Sequence, residues 1–354
     1  MRRGGERRVS VHVSELTSGE EAAWRTYVDE HSEATLFHSL LWRDVLRNTF
    51  KHECRYAMAH RDGAVVGVVP MVAIRSVFFG RSAISVPFGV YGGILADDEE
   101  ATRVLVEHGR GLARDVGASY VELRHLTPPP GLALPSNDLY STFACELPDD
   151  PSEVLGMIPR KSRAEVRKAR KRGDIKTDVG PLELGEFHRL FALNKRKLGS
   201  PVFPRSLFWH LADLFGDDCN VLTVRHDGRP VAAVMNFVWR HTLMSYYSGA
   251  LDHANRLSAN NLMYVAAMEH AVERGLKCFD FGRSRKGTGA FAFKKNMGFV
   301  PRDLHYSYIL AEGEALPQIN ASNPKYRLAQ SLFKHLPKFA AEKLGSFVAK
   351  RMPV

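Results

Sequence analysis

Between Cys278 and Val300 the chain gathers one carboxylate, Asp280, and a run of cations, Arg283, Arg285, Lys286 and Lys294, around three glycines. Cys278 to Phe281 is short and apolar, as a strand is. Gly282 to Gly289 is a basic glycine turn, and Ala290 to Asn296 has helical composition. Gly298 is placed to end that helix with φ > 0. Strand, turn and short helix in this order can aim backbone N–H groups and cations at an anion or at a developing oxyanion. The competing explanation is an ordinary strand–loop–helix connection with solvated charges. A nucleotide-hydrolysing loop is disfavoured, because Gly282-x-x-x-x-Gly287 is followed by Thr288 where lysine is required.

A second concentration of charge lies upstream. From Arg160 to Arg172 there are eight Lys or Arg and one acid, Glu165. On a helix, Arg163, Arg167, Lys168, Arg170 and Lys171 wrap more than one face. Without balancing acids or interleaved aromatics, this pattern suits phosphate contact better than base readout. A solvated linker helix is the alternative. Tyr91-Gly92-Gly93, in the glycine-rich segment Ala83–Leu95, is substrate-facing if its dense glycine lets another group approach the backbone, or else forms a β-bulge. Tyr247 and Arg256 complete the candidate binding residues, and Tyr246, Tyr247, Asp280 and His305 are candidates for a general base. No metal-ligand spacing is present; Cys54, Cys145, Cys219 and Cys278 lie far apart.

The elements that must position these groups read as mixed α/β. Asp62-Gly63 and Asp227-Gly228 each join two apolar, alternating runs, the signature of a tight hairpin. Pro70, inside the second arm of the first hairpin, marks an edge or a bend. Helices are expected over Leu36–Phe50, Asp97–Val116, Leu184–Leu198, Arg205–Phe215 and Arg256–Arg274. Strands are expected at Val9–Val13, Ser119–His125, Thr142–Leu147, Thr242–Leu251 and His305–Leu310. The order of helices, Asp-Gly hairpin, extended chain, helix and strand occurs twice, so an internal duplication is expected. The boundaries are 1–150 for a first module, 151–180 for a basic linker helix, 181–312 for a second module and 313–354 for a basic helical tail. That tail carries Tyr326, Leu328, Leu332, Phe333 and Leu336, then Phe339, Leu344, Phe347 and Val348, on an apolar side fit for docking or for an in-plane membrane contact.

The chain has 354 residues, 45% hydrophobic and 25% charged, ordinary values for a globular protein of about two domains. A net charge of +10 points to an anionic partner rather than to a fold. No signal peptide or 18-residue apolar span is seen, so a cytoplasmic location is expected.

Asn296-Met-Gly-Phe299, closing a strand–turn–helix unit, resembles the common ending of GNAT acyltransferase domains. With the duplication, the basic segment between the halves, and Asp280-Phe-Gly followed by Phe293-Lys294, the chain resembles the FemAB-type aminoacyltransferases. The subgroup associated with exosortase/PEP-CTERM and exopolysaccharide systems is the nearest in character. The resemblance covers roughly residues 9–350. It implies two tandem GNAT-like domains and transfer of an aminoacyl or acyl group onto a cell-envelope peptide or saccharide precursor, as in peptidoglycan. Its implied donor is aminoacyl-tRNA or acyl-CoA, acting as co-substrate without a further cofactor, and its implied partners are tRNA and a lipid-linked precursor at the inner face of the membrane. Phe293 and Lys294 would stabilise the oxyanion. Two departures bear on substrates. The diphosphate-gripping loop of an acetyl-CoA enzyme is replaced by Arg256-Leu-Ser-Ala-Asn-Asn261, which keeps the arginine and loses both glycines. The lysine expected one turn after Trp42 is Leu46, flanked by Arg43 and Arg47, which argues against a nucleotide-linked muropeptide. Outside this resemblance stand a GNAT-type N-acyltransferase using acyl-CoA, and a non-catalytic polyanion- or membrane-binding protein.

Overall fold

The computed structural model describes residues 10–76, 80–180, 183–317, 331 and 338–352; the side chains of 338–342 are outside that description. Val9 and the tail residues Tyr326, Leu328, Leu332, Phe333 and Leu336 also lie outside it. The chain forms two units, each built on an eight-stranded mixed sheet.

The first unit comprises residues 1–138, 304–317 and 351–354. Its strands are β1 (His12–Glu15), β2 (Glu53–Arg61), β3 (Ala64–Ser76), β4 (Gly80–Ser85), β5 (Leu95–Ala96), β6 (Tyr120–His125), β7 (Ser136–Asn137) and β16 (His305–Leu310). They lie in the order β1-β2-β3-β4-β6-β16-β7, with β5 beside β3. Helices α1 (Glu21–Glu30), α2 (Leu40–Phe50) and α3 (Glu99–Val116) accompany them. The β2–β3 turn takes Asp62 and Gly63 to φ of 51° and 79°, the left-handed pair that a two-residue hairpin needs. Asp98 caps α3 by accepting from the Ala101 N–H at 2.9 Å, and Gly117 (φ 64°) ends it. Leu105, Leu112 and Val116 of α3 pack with Val69, Met71 and Val121 of the sheet. Pro70 stands at a gap on one side of β3 rather than at a bend. It pairs with Tyr56 inside β3, between the residues that pair with β5 (Gly67, Val68) and those that pair with β4 (from Met71), where no ladder partner on that side requires its missing N–H.

The second unit comprises residues 139–303 and 318–350. Its strands are β8 (Tyr140–Glu146), β9 (Ile175–Gly180), β10 (Cys219–His226), β11 (Arg229–Trp239), β12 (Thr242–Ala250), β13 (Cys278–Asp280), β14 (Ser284–Arg285) and β15 (Pro301–Asp303). The order is β14-β8-β13-β12-β11-β10-β9, with β15 also on β8. Helices are α4 (Val154–Met157), α5 (Arg160–Arg170), α6 (Leu184–Leu198), α7 (Arg205–Phe215), α8 (Ala259–Glu273), α9 (Gly289–Asn296) and α10 (Lys338–Ala349). The β10–β11 turn repeats the first hairpin, with Asp227 at 49° and Gly228 at 73°. α8 is buried on more than one side because it lies between the sheet and α5, whose Ser162, Val166 and Ala169 turn inward.

The two units repeat one plan: an antiparallel hairpin and third strand, a helix, then a strand parallel to the third (β4 with β6, β12 with β13). They are not consecutive in sequence. The division falls at Leu139, ahead of the expected boundary near 150. The strand expected at Thr142–Leu147 is β8 of the second unit, and His305–Leu310 is β16 of the first.

Candidate active site

In the second unit β12 and β13 run parallel for three residues, Thr242–Met244 against Cys278–Asp280, and then separate. β12 continues to Ala250, while the other chain turns at Gly282 (φ 70°). Immediately past the split, Met235 pairs with Tyr247 and Asn236 with Ser245, so Tyr246 is skipped in the register. Such a bulge re-aims side chains and is common beside reaction centres.

Past the split a cavity of about 180 Å³ opens, lined by Ser248, Gly249 and Ala250 of β12, Asn194 of α6, Asn260 and Tyr264 of α8, and Ala290 and Phe293 of α9. A second cavity of about 350 Å³ shares Ala250 with it and reaches Leu193, Arg196, Lys197, Leu251 and Asp252. Gly249 explains how α6 comes so near: a Cβ there would stand 2.4 Å from the Phe191 nitrogen.

The split brings several of the expected residues together. Asp280 accepts from the Gly282 N–H at 2.7 Å and from Thr142 Oγ1 at 3.4 Å, holding the turn in an Asx-type bend. Lys294 is buried, and its Nζ donates to the Gly282 carbonyl at 2.7 Å and the Arg283 carbonyl at 3.2 Å. The same ammonium lies 5.4 Å from the Phe143 ring centroid and 5.2 Å from that of Phe281. Burial pushes its pKa down to about 7, with the Asp280 charge working upward and the Arg283 charge downward. Phe293 and Lys294, expected to face one carbonyl together, are separated. Consecutive helical residues point about 100° apart, so Phe293 lines the cavity while Lys294 ties down the turn.

The other expected residues take different places. Arg283 stacks 4.5 Å from the Tyr140 ring, and Lys286 pairs with Asp303 at 3.0 Å. Arg285 is half-buried on β14. Tyr247 is buried among Phe191, Phe203 and Phe208, and burial raises its phenol well above the ordinary 10, which makes it a poor base. Arg256 is exposed just ahead of α8. At that helix's start Ser258 takes φ 54° and its hydroxyl donates to the Glu165 carboxylate, so an acid from α5 already stands at this end of α8.

Tyr91, Gly92 and Gly93 belong to the first unit, as does His305. The three are buried within it, so the expected substrate-facing placement gives way to a packing reason for the glycines. A Cβ on Gly92 would meet Val86 at 2.5 Å, and one on Gly93 would meet His125 at 2.2 Å. The Tyr91 carbonyl accepts from Thr35 and the Gly93 carbonyl is held by His38, both at 3.1 Å. Arg43 is likewise engaged, with Glu21 at 2.7 Å and Asp44 at 2.9 Å.

On α5 and its C-cap the outward stripe carries Arg167, Lys168 and Lys171, with Arg163 half-buried at its side. Among the described residues these four have no acidic partner, whereas Arg170 holds Glu269 with both oxygens. α10 rests on the α6–α7 connection through Gly345, where a Cβ would stand 2.6 Å from the Val202 nitrogen. Its Leu344 and Phe347 are exposed. No helix among the described residues is long and apolar enough to cross a membrane.

The second unit thus presents a parallel pair that parts beside a cavity, with a bulge on the longer strand. Residues 159–295 match the acetyltransferase (GNAT) domain family. Among solved structures the chain is similar to FemX (TM-score 0.61, 15% identity, covering 84% of this chain and 97% of that one). It is also similar to a tandem GNAT protein from the clavulanic acid biosynthesis pathway (0.56, 12%, 87% and 100%). A third is the C-terminal domain of a putative lysylphosphatidylglycerol synthetase from Agrobacterium fabrum (0.53, 15%, 90% and 96%). At these identities the likeness shows the fold, two tandem GNAT-like units. No curated protein matches the chain in sequence.

Proposed function

We propose that the protein is a FemAB-type aminoacyltransferase. It moves an aminoacyl group from aminoacyl-tRNA to an amine or hydroxyl on a cell-envelope peptide or saccharide precursor, of the peptidoglycan or exopolysaccharide kind. The observation that carries this choice of donor is the start of α8. In an acetyl-CoA enzyme that helix end offers bare N–H groups to a diphosphate. Here it has no glycine, and the Glu165 carboxylate stands at it. A second anion would meet a charge of its own sign. The unpaired cations of α5 favour a larger polyanion, as tRNA is.

In this reading the aminoacyl ester enters the split. The acceptor attacks its carbonyl, the tetrahedral oxyanion forms beside the bulged strand and the basic turn, and the ribose hydroxyl of the donor leaves with a proton. Positioning and oxyanion stabilisation supply most of the rate in such chemistry. Lys294 and Asp280 act by fixing the Gly282–Arg283 turn, so they are positioning residues. Names of two neighbours, FemX and the lysylphosphatidylglycerol synthetase, support aminoacyl transfer. An acceptor carried on a lipid would also suit the exposed Leu344 and Phe347, as a peripheral contact with the inner face of the membrane.

The second reading is an acyl-CoA-dependent N-acyltransferase, favoured by the acetyltransferase domain match itself. One experiment separates them: purified protein is offered charged tRNA and acyl-CoA in parallel with envelope precursors, and products are read by mass spectrometry. Transfer from charged tRNA alone is expected. Turnover with the thioester alone would overturn the tRNA reading in favour of the second.

A further inference from the structure

The larger of the two cavities holds a cation that the fold leaves uncompensated. At about 350 Å³ it falls within the range of small-molecule sites, roughly 300–1,000 Å³. Leu193, Arg196 and Lys197 line it from one face of α6, at spacings of three and four residues, and Ala250, Leu251 and Asp252 line it where β12 ends. Lys197 and Asp252 join the two elements at 2.5 Å. Arg196 has no such partner among the described residues. It is half-buried, its Nε is shut off from solvent without an acceptor, and no carboxylate meets its terminal nitrogens. A buried N–H left without an acceptor calls for an explanation, the more so on a charged group.

The lining also says which anion would suit. Two cations and one carboxylate face the cavity, and since Lys197 and Asp252 pair, the charge left over is that of Arg196. Leu193, Ala250 and Leu251 make the rest apolar. Such a lining fits a monoanion with an apolar body. A planar guanidinium takes a carboxylate through two parallel N–H···O bonds. A diphosphate or a dianionic phosphate would bring more charge than the lining has free, and would meet Asp252. The cavity shares Ala250 with the smaller one beside the split, so a group held here is next to a group held there. Gly249 keeps α6 against β12, which sets the spacing of the two linings by backbone contact.

We propose that the cavity lined by Arg196 is a subsite for a carboxylate borne by one of the substrates, with Leu193 and Leu251 receiving the apolar part of the group that carries it. The inference deepens the aminoacyl-transfer reading and rests on it for the reaction that the bound substrate undergoes, but not for the existence of the subsite. Two sources share this chemistry. One is a free carboxylate on a peptide acceptor; the other is the acidic side chain of a transferred aspartyl or glutamyl group.

The test is phenylglyoxal labelling of the native protein, with Arg196 and the exposed Arg229 followed by peptide mass spectrometry. The probes are N-acetyl-leucine, its neutral amide and inorganic pyrophosphate, at equal ionic strength. N-acetyl-leucine should slow the labelling of Arg196 several-fold, with the amide without effect and Arg229 unchanged. Equal rates with acid and amide would overturn the subsite, and stronger protection by pyrophosphate would overturn its choice of carboxylate. Saturation-transfer NMR gives a second readout. The N-acetyl-leucine signal should vanish in an Arg196→Met variant whose circular dichroism matches the wild type, and an undiminished signal there would also overturn the proposal. Transfer assays then read the source. Loss of activity when an acceptor peptide is offered as its C-terminal amide puts the carboxylate on the acceptor, and preference for aspartyl-tRNA over asparaginyl-tRNA puts it on the donor. Indifference to both changes would remove Arg196 from substrate selection. Protection of Arg196 in a protein that transfers nothing would leave the subsite standing and overturn the reaction, and transfer without protection would do the reverse.

Discussion

At the residue scale, the buried Lys294 has a measurable signature. Its folded pKa, near 7, is below the ordinary lysine value of 10.5. Between those values the unfolded chain holds a proton that the folded chain does not, so this residue's contribution to stability rises with pH across that window and is least favourable below about 7. Urea unfolding of the wild type and Lys294→Met at pH 6, 7, 8 and 9 should therefore show the wild type gaining on the variant as pH rises. A difference that is flat with pH would mean an ordinary, solvated lysine. Because two carbonyls of the turn lose their donor in that variant, transfer should also slow by on the order of 10², by comparison with loss of one oxyanion-hole donor. A lysine tying down the turn acts on kcat through Arg283, so Arg283→Met should reproduce part of the loss. Sequence singled out Lys294 and Asp280 for chemistry, whereas in the fold both hold the Gly282–Arg283 turn. Adjacent letters conceal that Phe293 and Lys294 project in different directions.

At the element scale, local signals performed best. Both Asp-Gly turns and the bounds of α6 and α7 follow from neighbouring residues alone, and the chain adopts them. Glycines were read less well, because their reason is set by what approaches them. Gly249 admits the backbone of α6 to β12; Gly249→Ala should push the helix away, at a cost of about 1–3 kcal/mol typical of overpacking. The same variant should reduce transfer more than its stability loss explains, since both cavities border that helix. Wild-type turnover would argue against the cavities as the donor site. Gly93→Ala should be at least as destabilising in the first unit, with His125 in the way, as thermal unfolding would show. The basic run of α5 was legible as charge but not as geometry. Its inner face is taken up by α8, and Arg170 by Glu269, which leaves Arg163, Arg167, Lys168 and Lys171 as the stripe to neutralise. Replacing Arg167, Lys168 and Lys171 with Gln should weaken tRNA binding and flatten its salt dependence. The slope should fall by about 0.7–0.9 for each phosphate that the protein no longer neutralises. An unchanged slope would remove α5 from the nucleic-acid interface.

At the scale of the whole molecule, the duplicated plan was visible in the repeated order of elements, and the mixed α/β class with it. The exchange of β8 and β16 was not, because strand pairing between segments more than a hundred residues apart leaves no periodicity to read. A fragment covering 151–312 would lack β8, and with it the partner of β13, β14 and β15. A fragment covering 1–150 would lack β16, the strand between β6 and β7. Each fragment alone should be insoluble or unfolded by circular dichroism, while co-expression of the two parts of a chain nicked in an exposed loop should recover soluble material.

The strand β16 also sets a timetable. As the chain leaves the ribosome, the first unit's sheet can grow only as far as β6, and its next strand is not made until residues 305–310 appear. For the whole interval in which the second unit is being synthesised, β6 offers an unfilled row of backbone donors and acceptors, the template on which other chains aggregate. Completion of the nascent N-terminal sheet is therefore a late event in the life of this polypeptide. Its yield in cells should depend on chaperone supply more than the stability of the finished protein would suggest.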